Sequence, residues 1–397
     1  MKILSLVYEY PPLGGGGAAV AAALNETLVE MGESVDVVTS AMRGLAREET
    51  VRGVRVHRAA CWRKHRHYTT TLELATTLLP AYRKAAALIR ERRPDLIHVH
   101  FVFPSGVLAY LLSRRFGIPY VLTAHGSDIP GYNPDRFAIP HILLRSLWRR
   151  IVRNAAAVTS PSEFLAGLIR RHIDVPIDIV PNGYSPTFHP SREKRNLVLV
   201  VSRLFPRKGV QHFIESVRRL HNDWEFVVAG DGPYLESLKQ LALESNDRIR
   251  FVGFVDKTTL HGLYQEARIL VFPSIRENFP MVLLEAMDSG CAVITTDAEG
   301  CAEVVGDAGI VVKAGNPREI RAALTELMEN AERRNQLSQH ALERVRLFRW
   351  ARIAGLYREV FSRVTKLPLL APPPVPPGAR SRELPTKEPQ LARRQAS

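Results

Sequence analysis

The chain has 397 residues, 46% of them apolar and 24% charged, with 25 Gly and 27 Pro. That is more than one hydrophobic core serves, so two domains are expected, and the glycines and prolines are too aperiodic for a fibrous protein. The formal charge is +14, with the surplus in residues 1–190 (+8) and in the tail from Lys366 (+4).

In chain order, KILSLVY (2–8) reads as a strand, Ala18 to Met31 as a helix and SVDVVTS (34–40) as a second strand. Leu72 to Arg92 has helical spacing, followed by strand DLIHVH (95–100), helix Ser105 to Arg115 and strand YVLTAH (120–125). After a basic segment come strand AAVTS (156–160), helix Ser162 to Arg171 and strand IDIV (177–180). Short apolar runs alternating with helical spacing are the signature of βα units around a parallel sheet. The alternation pauses at PNGYSPTFHPSREKRN (181–196), where Pro, Gly and polar residues displace the apolar period. It restarts with strands NLVLVVS, EFVVAG, IRFVGF, RILVFPS, CAVITT and GIVV, and a helical pattern from Pro317 to Val364 closes it. The expected architecture is α/β, with two Rossmann-like domains of parallel sheet facing across a cleft. The first covers 1–185 and the second 186–365, whose final helix could return to the first. Residues 366–397 form a Pro-rich tail expected to be disordered.

No run approaches the roughly 18 apolar residues of a membrane span, and the N-terminus lacks a small-residue cleavage site, so a cytoplasmic location is expected. Basic residues cluster at Arg63, Lys64 and Arg66, at Arg90, Arg92 and Arg93, and at Arg145, Arg149, Arg150 and Arg153. The last group is interleaved with Leu143, Leu144, Leu147, Trp148, Ile151 and Val152. Two readings stand: a basic amphipathic helix held peripherally on anionic membrane, or a surface helix with its apolar face turned inward. Cys61, Cys291 and Cys301 are an odd count without a CxxC pair, so they read as reduced and structural.

In open α/β sheets ligands bind beyond the carboxyl ends of the strands, so functional residues are sought there. After the first strand, Gly14 to Gly17 open a helix where backbone N–H groups can approach a phosphate or sugar, or form a flexible loop without a ligand. Gly14-x-Gly16-x-x-Ala19 passes a loose dinucleotide fingerprint, but the second strand ends in Thr39 and Ser40 instead of an acid, which disfavours a nicotinamide or flavin enzyme. His125 follows a strand within Ala124-His125-Gly126-Ser127-Asp128, as a cleft histidine or a turn residue. His98 and His100 share one strand face and could be metal ligands, though no third ligand stands at a convincing spacing. Arg203 and Lys208, in the turn after NLVLVVS, suit a diphosphate clamp, with a solvated basic loop as the alternative. Glu277 falls in the loop after RILVFPS. Glu285 lies in the next helix among apolar neighbours, where a carboxylate needs donors such as sugar hydroxyls or backbone N–H groups.

Taken together, PPLGGGGAAVAAALNETLVEMG, PDLIHVH, VLTAHGSDI, VPNGYSPTFHP, VVSRLFPRKGV, VVAGDGP and ENFPMVLLEAMDSGCAVITTDAEGCAEVVG resemble the retaining glycosyltransferases of family four, glycosyl transferases group 1, which have the GT-B fold. The resemblance runs from about Met1 to Val364 and is carried above all by the E-x7-E pair. It implies a hexose transferred from a nucleotide-sugar donor, UDP- or GDP-linked, and the basic first half, which in GT-B enzymes faces the acceptor, points to a hydroxyl of a glycan, glycolipid or lipid-linked acceptor in envelope or exopolysaccharide synthesis. It implies that Arg203 and Lys208 neutralise the diphosphate, that Gly15 and Gly16 meet the phosphate and acceptor side, and that Glu285 holds the ribose. Glu277 would bind donor-sugar hydroxyls, backbone N–H groups of Asn278 and Phe279 would support sugar and diphosphate, and His125 would contact the sugar near the anomeric centre. Gly230 and Val255 fall where the base pocket is expected. The family is metal-independent, so no cofactor is implied. Many members carry Gly where this chain has Pro280, which lacks an N–H, so the loop's donor contacts differ. The competing functions are a nucleotide-sugar epimerase of the same architecture and a non-catalytic scaffold or binding protein. No nucleic-acid motif accompanies the charge.

Overall fold

The computed structural model describes residues 1–65, 69–132, 144–186, 193–218, 220, 223–245 and 248–369. Arg66, Leu143, the linker residues 187–192 and the tail beyond 369 lie outside the described residues.

Two sheets form, one in each half of the chain. The first contains β1 (Lys2–Leu6), β2 (Ser34–Ser40), β3 (Glu48–Val51), β4 (Val54–Ala59), β5 (Leu96–His100), β6 (Tyr120–Thr123), β7 (Ala157–Ser160) and β8 (Ile177–Ile179), in the order β3-β4-β2-β1-β5-β6-β7-β8. The second contains β9 (Arg195–Val201), β10 (Glu225–Ala229), β11 (Ile249–Gly253), β12 (Ala267–Phe272), β13 (Ala292–Thr296) and β14 (Gly309–Val312), in the order β11-β10-β9-β12-β13-β14. All pairings are parallel except β3 with β4. These are the Rossmann-like α/β sheets expected from the alternation.

Strand residues alternate between two cores, as the pleat requires. In β1, Ile3 packs against helices Gly16–Glu30 and Trp350–Thr365, while Leu4 and Leu6 face the core under helices Thr71–Arg92, Val107–Phe116 and Arg145–Asn154. The second sheet is sandwiched likewise, with Val198 and Val200 on one face and Leu197 and Leu199 on the other.

The hairpin β3–β4 is not among the elements read from the sequence. Its residues EETV and VRVHRA look polar because the charges are paired within the fold. Arg55 donates to both oxygens of Asp36 at 2.8 and 2.6 Å, and buried Arg58 donates to Glu49 at 2.5 Å.

Helix Trp350–Thr365 packs on the first sheet, burying Trp350, Ile353, Tyr357 and Phe361 in its core and pairing Arg358 with Glu33 at 2.8 Å. The chain therefore passes between the halves twice. The two passages meet where Tyr184 N donates to Phe348 O at 2.6 Å and Asp288 accepts from Tyr184 and Arg349 at 3.2 and 2.7 Å. Among the described residues no helix is long and apolar enough to cross a membrane.

Candidate functional site

Strand order reverses direction between β1 and β5 in the first sheet and between β9 and β12 in the second. Loops leaving such neighbouring strands diverge and open a crevice. The glycine loop leaves β1, His100 ends β5, Arg203 leaves β9 and Glu277 leaves β12, so the topology itself gathers the candidates of each half.

On the first half, helix Gly16–Glu30 begins at an N-cap Gly15 with no side-chain cap, and a Cβ at Gly15 or Gly16 would meet nothing within 4 Å. The loop thus offers bare backbone N–H groups to open space. His125 is half-buried. Its backbone N and that of Gly126 donate to Asp128 Oδ1 at 3.2 and 3.0 Å, while Val102 N donates to Asp128 Oδ2 at 2.9 Å. Trp148 Nε1 donates to the Asp128 carbonyl at 3.0 Å. The basic helix Arg145–Asn154 therefore turns Trp148, Ile151 and Val152 fully inward, where they anchor the His125 loop. The inward-facing reading of this segment describes its apolar side, and Arg145, Arg150 and Arg153 are left exposed.

On the second half, Pro206–Lys208 forms one 3-10 turn ending at Gly209, whose φ is +69°. A Cβ there would lie 1.9 Å from the Pro273 carbonyl, so only glycine lets this turn sit against the end of β12. That approach places the Lys208 ammonium on the Glu277 carboxylate as a largely buried ion pair, with side chains 16% and 17% exposed. Arg203 is elsewhere. Its guanidinium stacks over Phe205 at 5.4 Å, with Arg207 over the same ring at 5.6 Å, and among the described residues neither pairs with a carboxylate.

Glu285, eight residues beyond Glu277 and about one turn into helix Met281–Asp288, accepts the Tyr264 hydroxyl at 2.8 Å. Burial raises its pKa above the ordinary carboxylate value, and the Tyr264 hydroxyl offsets this in part. With a single donor among the described residues, this carboxylate can accept more hydrogen bonds. Gly230, at φ +138°, brings a would-be Cβ within 1.8 Å of the Ser202 carbonyl, so close packing of β9 against β10 already demands glycine there. Val255 is half-buried against the same core as Leu260 and Leu263, beside an 83% exposed Phe254.

Asn278 joins the halves. Its amide accepts from Ser162 Oγ at 2.7 Å and donates to the His125 carbonyl at 3.3 Å, and the residue is only 5% exposed. Its backbone N lies 3.4 Å from Glu277 Oε1, while Phe279 turns its ring edge onto Phe348 at 5.8 Å. Glu303 adds a second tie, accepting from the N–H groups of Glu163 and Phe164 at 2.7 and 2.9 Å. Lys208 and Glu277 thus meet as an ion pair, Asn278 carries the same loop to the His125 backbone, Glu285 stands on the adjoining helix, and Arg203 is exposed apart from them.

His98 and His100 share a face, with ring centroids 4.3 Å apart, and the nitrogen next to His100 belongs to His125 at 3.0 Å. All three cysteines are free, and burial pushes the Cys301 thiol up to about 12. Sequence reasoning did not single out Ser162, Tyr264, Asp128 or Phe101. Phe101, at φ +71°, holds its ring 4.4 Å from His125 and 5.1 Å from Tyr8. Only its place directly after HVH at a strand end signalled it.

Comparison with known proteins identifies the family. Residues 15–183 match the model of the glycosyl transferase 4-like domain, and residues 185–344 that of the glycosyl transferases group 1. The chain is 25% identical to the N-acetyl-alpha-D-glucosaminyl L-malate synthase of Bacillus anthracis over 91% of its own length and 97% of that protein's. Its fold is similar to that of sucrose-phosphate synthase from Thermosynechococcus elongatus (TM-score 0.73, 23% identity, 91% of this chain and 99% of that one). It is also similar to HepE from Anabaena in complex with UDP (TM-score 0.68, 19% identity, 91% and 100%). With both halves matched, two Rossmann-like sheets and GT-B neighbours, the chain belongs to the group 1 glycosyl transferases, family four, and is a glycosyltransferase that uses a nucleotide-sugar.

Proposed function

We propose that this enzyme moves a hexose, with retention at the anomeric carbon and without a metal ion, from a UDP- or GDP-linked donor to a hydroxyl of a glycan, glycolipid or lipid-linked acceptor. The observation that carries the reading is the Lys208–Glu277 pair in a cleft where Asn278 ties the same loop to His125. Residues 1–185 face the acceptor, and residues 186–365 hold the nucleotide.

Departure of the nucleoside diphosphate leaves an oxocarbenium-like sugar and a growing negative charge, so the main task is to stabilise that charge in a site prepared beforehand. Lys208 turns from Glu277 to the diphosphate, which releases the Glu277 carboxylate to accept from donor-sugar hydroxyls. Arg203 swings from Phe205 to add a second cation. Glu285 accepts from the ribose hydroxyls, Gly230 and Val255 border the base, and backbone N–H groups at Gly15, Gly16, Asn278 and Phe279 meet phosphate and sugar. His125 contacts the sugar near the anomeric carbon.

The UDP complex of the Anabaena neighbour supports a uridine donor. The +8 surplus of residues 1–190 supports an anionic, membrane-held acceptor, whereas the Bacillus anthracis relative is named for malate, a small acid. Calorimetric titration of UDP, GDP, ADP and CMP in metal-free buffer tests the donor site. One nucleotide should bind selectively, and Arg203→Ala should weaken it. Product analysis by NMR, with lipid-linked and soluble acceptors in parallel, tests transfer and retention. Failure of all four nucleotides to bind, together with no turnover, would sink the proposal.

A further inference from the structure

Three histidines form a hydrogen-bonded and stacked row running inward from the cleft. His98 and His100 are fully buried on β5. His100 stacks on His125 with centroids 5.2 Å apart, and His100 Nδ1 lies 3.0 Å from His125 Nε2. At the inner end, His98 Nε2 meets Thr123 Oγ1 at 2.8 Å, which meets Thr159 Oγ1 at 2.7 Å. His98 Nδ1 and His100 Nε2 are buried and without a hydrogen-bond partner among the described residues, whereas His125 Nδ1 is not among such buried orphans.

The protons of this row can be counted. Burial lowers the pKa of all three rings, His125 to about 4 and His98 to about 3, so each carries one proton near neutrality. An orphaned buried N–H is rarer and costlier than an orphaned acceptor. The orphaned nitrogens are therefore the bare ones, Nδ1 in His98 and Nε2 in His100. The His98 proton is then on Nε2 and is donated to Thr123, whose hydroxyl is left to donate to Thr159. The His100 proton is on Nδ1 and points at His125 Nε2. Only one proton fits between two ring nitrogens 3.0 Å apart, so His125 Nε2 accepts it.

We propose that His100 is a positioning residue that locks His125 in the Nδ1–H tautomer, so that His125 offers a hydrogen-bond donor to the cleft. The His125 backbone is already clamped by Asp128 and Asn278, and the His100 bond removes the remaining freedom of the ring. The ligand group this suits is an oxygen acceptor: a sugar hydroxyl or the oxygen that leaves with the diphosphate. The functional consequence rests on the proposed contact of His125 with the donor sugar, whereas the tautomer does not.

Two measurements test this. In protein carrying 15N-labelled histidine, the His125 ring, assigned by its loss in His125→Gln, should show protonated Nδ1 and bare Nε2. Protonation at Nε2 would overturn the proposal without reference to activity. For the unlabelled protein, His100→Leu should lower kcat by about 10–100-fold, the scale of losing a partner that orients an imidazole. Nucleotide affinity should stay within about threefold, a kcat effect separated from binding. His100→Asn, whose amide N–H replaces Nδ1–H, should restore most of kcat and keep the His125 tautomer. An unchanged kcat in a folded His100→Leu, or no recovery in His100→Asn, would overturn the role. If His100→Leu does not fold, the spectra of the wild type and His100→Asn still decide. Full activity in His125→Ala with the tautomer as stated would refute the sugar contact and leave the proton assignment standing.

Discussion

The Asn278 amide, carried by the second sheet, donates to the His125 carbonyl, carried by the first, at 3.3 Å. The same amide accepts from Ser162 at 2.7 Å, so one buried side chain ties the Glu277 loop to two segments of the first half. Removing it leaves the Ser162 O–H without this acceptor, although its oxygen still caps Leu165 N–H at 3.2 Å, and takes the amide donor from the His125 carbonyl, each loss costing about 1–3 kcal/mol. Asn278→Ala should lower kcat/KM by about 10–100-fold, equivalent to about 1.4–2.8 kcal/mol of transition-state stabilisation. Ser162→Ala, which leaves the His125 bond in place, should lose less. Steady-state kinetics of the two variants decide, and equal losses would count against a role for the cross-cleft bond.

Lys208 and Glu277 are coupled by charge. Lys208→Met should strand a carboxylate beside the incoming diphosphate and weaken nucleotide binding by at least about 100-fold, the scale of an uncompensated buried charge. Lys208→Met/Glu277→Gln removes that repulsion and should bind the nucleotide more tightly than Lys208→Met alone. Calorimetry on the four proteins of the cycle gives the coupling. Additive effects would show that the pair is incidental.

Glu285 predicts a pH dependence. Its pKa in the folded protein is raised by burial, so the free enzyme holds a proton there in the window between the ordinary carboxylate value and the raised one. Its contribution to stability is therefore present at low pH and is lost as pH rises through that window. Ribose hydroxyls donating to Glu285 favour the ionised form, so nucleotide binding expels the proton and affinity rises with pH across the same window. The ratio of wild-type to Glu285→Gln affinity should increase with pH there, since titration of the nucleotide itself is common to both. A constant ratio would remove Glu285 from the ribose site.

Arg358, on the returning helix, meets Glu33 at 2.8 Å with side chains 6% and 3% exposed. Arg358→Ala should destabilise the protein by about 1.5–3 kcal/mol in urea unfolding, the scale of one charged hydrogen bond, because Glu33 keeps the N-terminal ammonium of Met1 as its second partner. Glu33→Gln, which takes the carboxylate from both cations, should cost more than Arg358→Ala. If Arg358→Ala unfolds at the wild-type midpoint, the return of the helix does not depend on this pair.

The strands of both sheets were legible as apolar runs punctuated by Gly, Pro and polar turns, since strand propensity and burial on two faces are written locally. With them came the loops at strand ends, and so His125, Arg203, Lys208 and Glu277 as candidates. The eight-residue step to Glu285 was legible for the same reason, because loop and following helix are contiguous. The hairpin β3–β4 was hidden because Arg55 and Arg58 look like surface residues until Asp36 and Glu49 are known to face them. The basic segment around Trp148 was ambiguous because charge and apolar spacing describe its two sides without saying what covers the apolar one; Asp128 and the first core do.

The sequence by itself determined the two α/β halves, the strand-end positions of the candidate residues and the family, all properties of neighbouring residues. Only the tertiary structure decided that Lys208 sits on Glu277 while Arg203 sits on Phe205, that Asn278 bridges to His125 and Ser162, and that His100 backs His125. Those partners are separated in the chain and meet only when strand order and the return of the last helix bring their loops together, which no local pattern encodes.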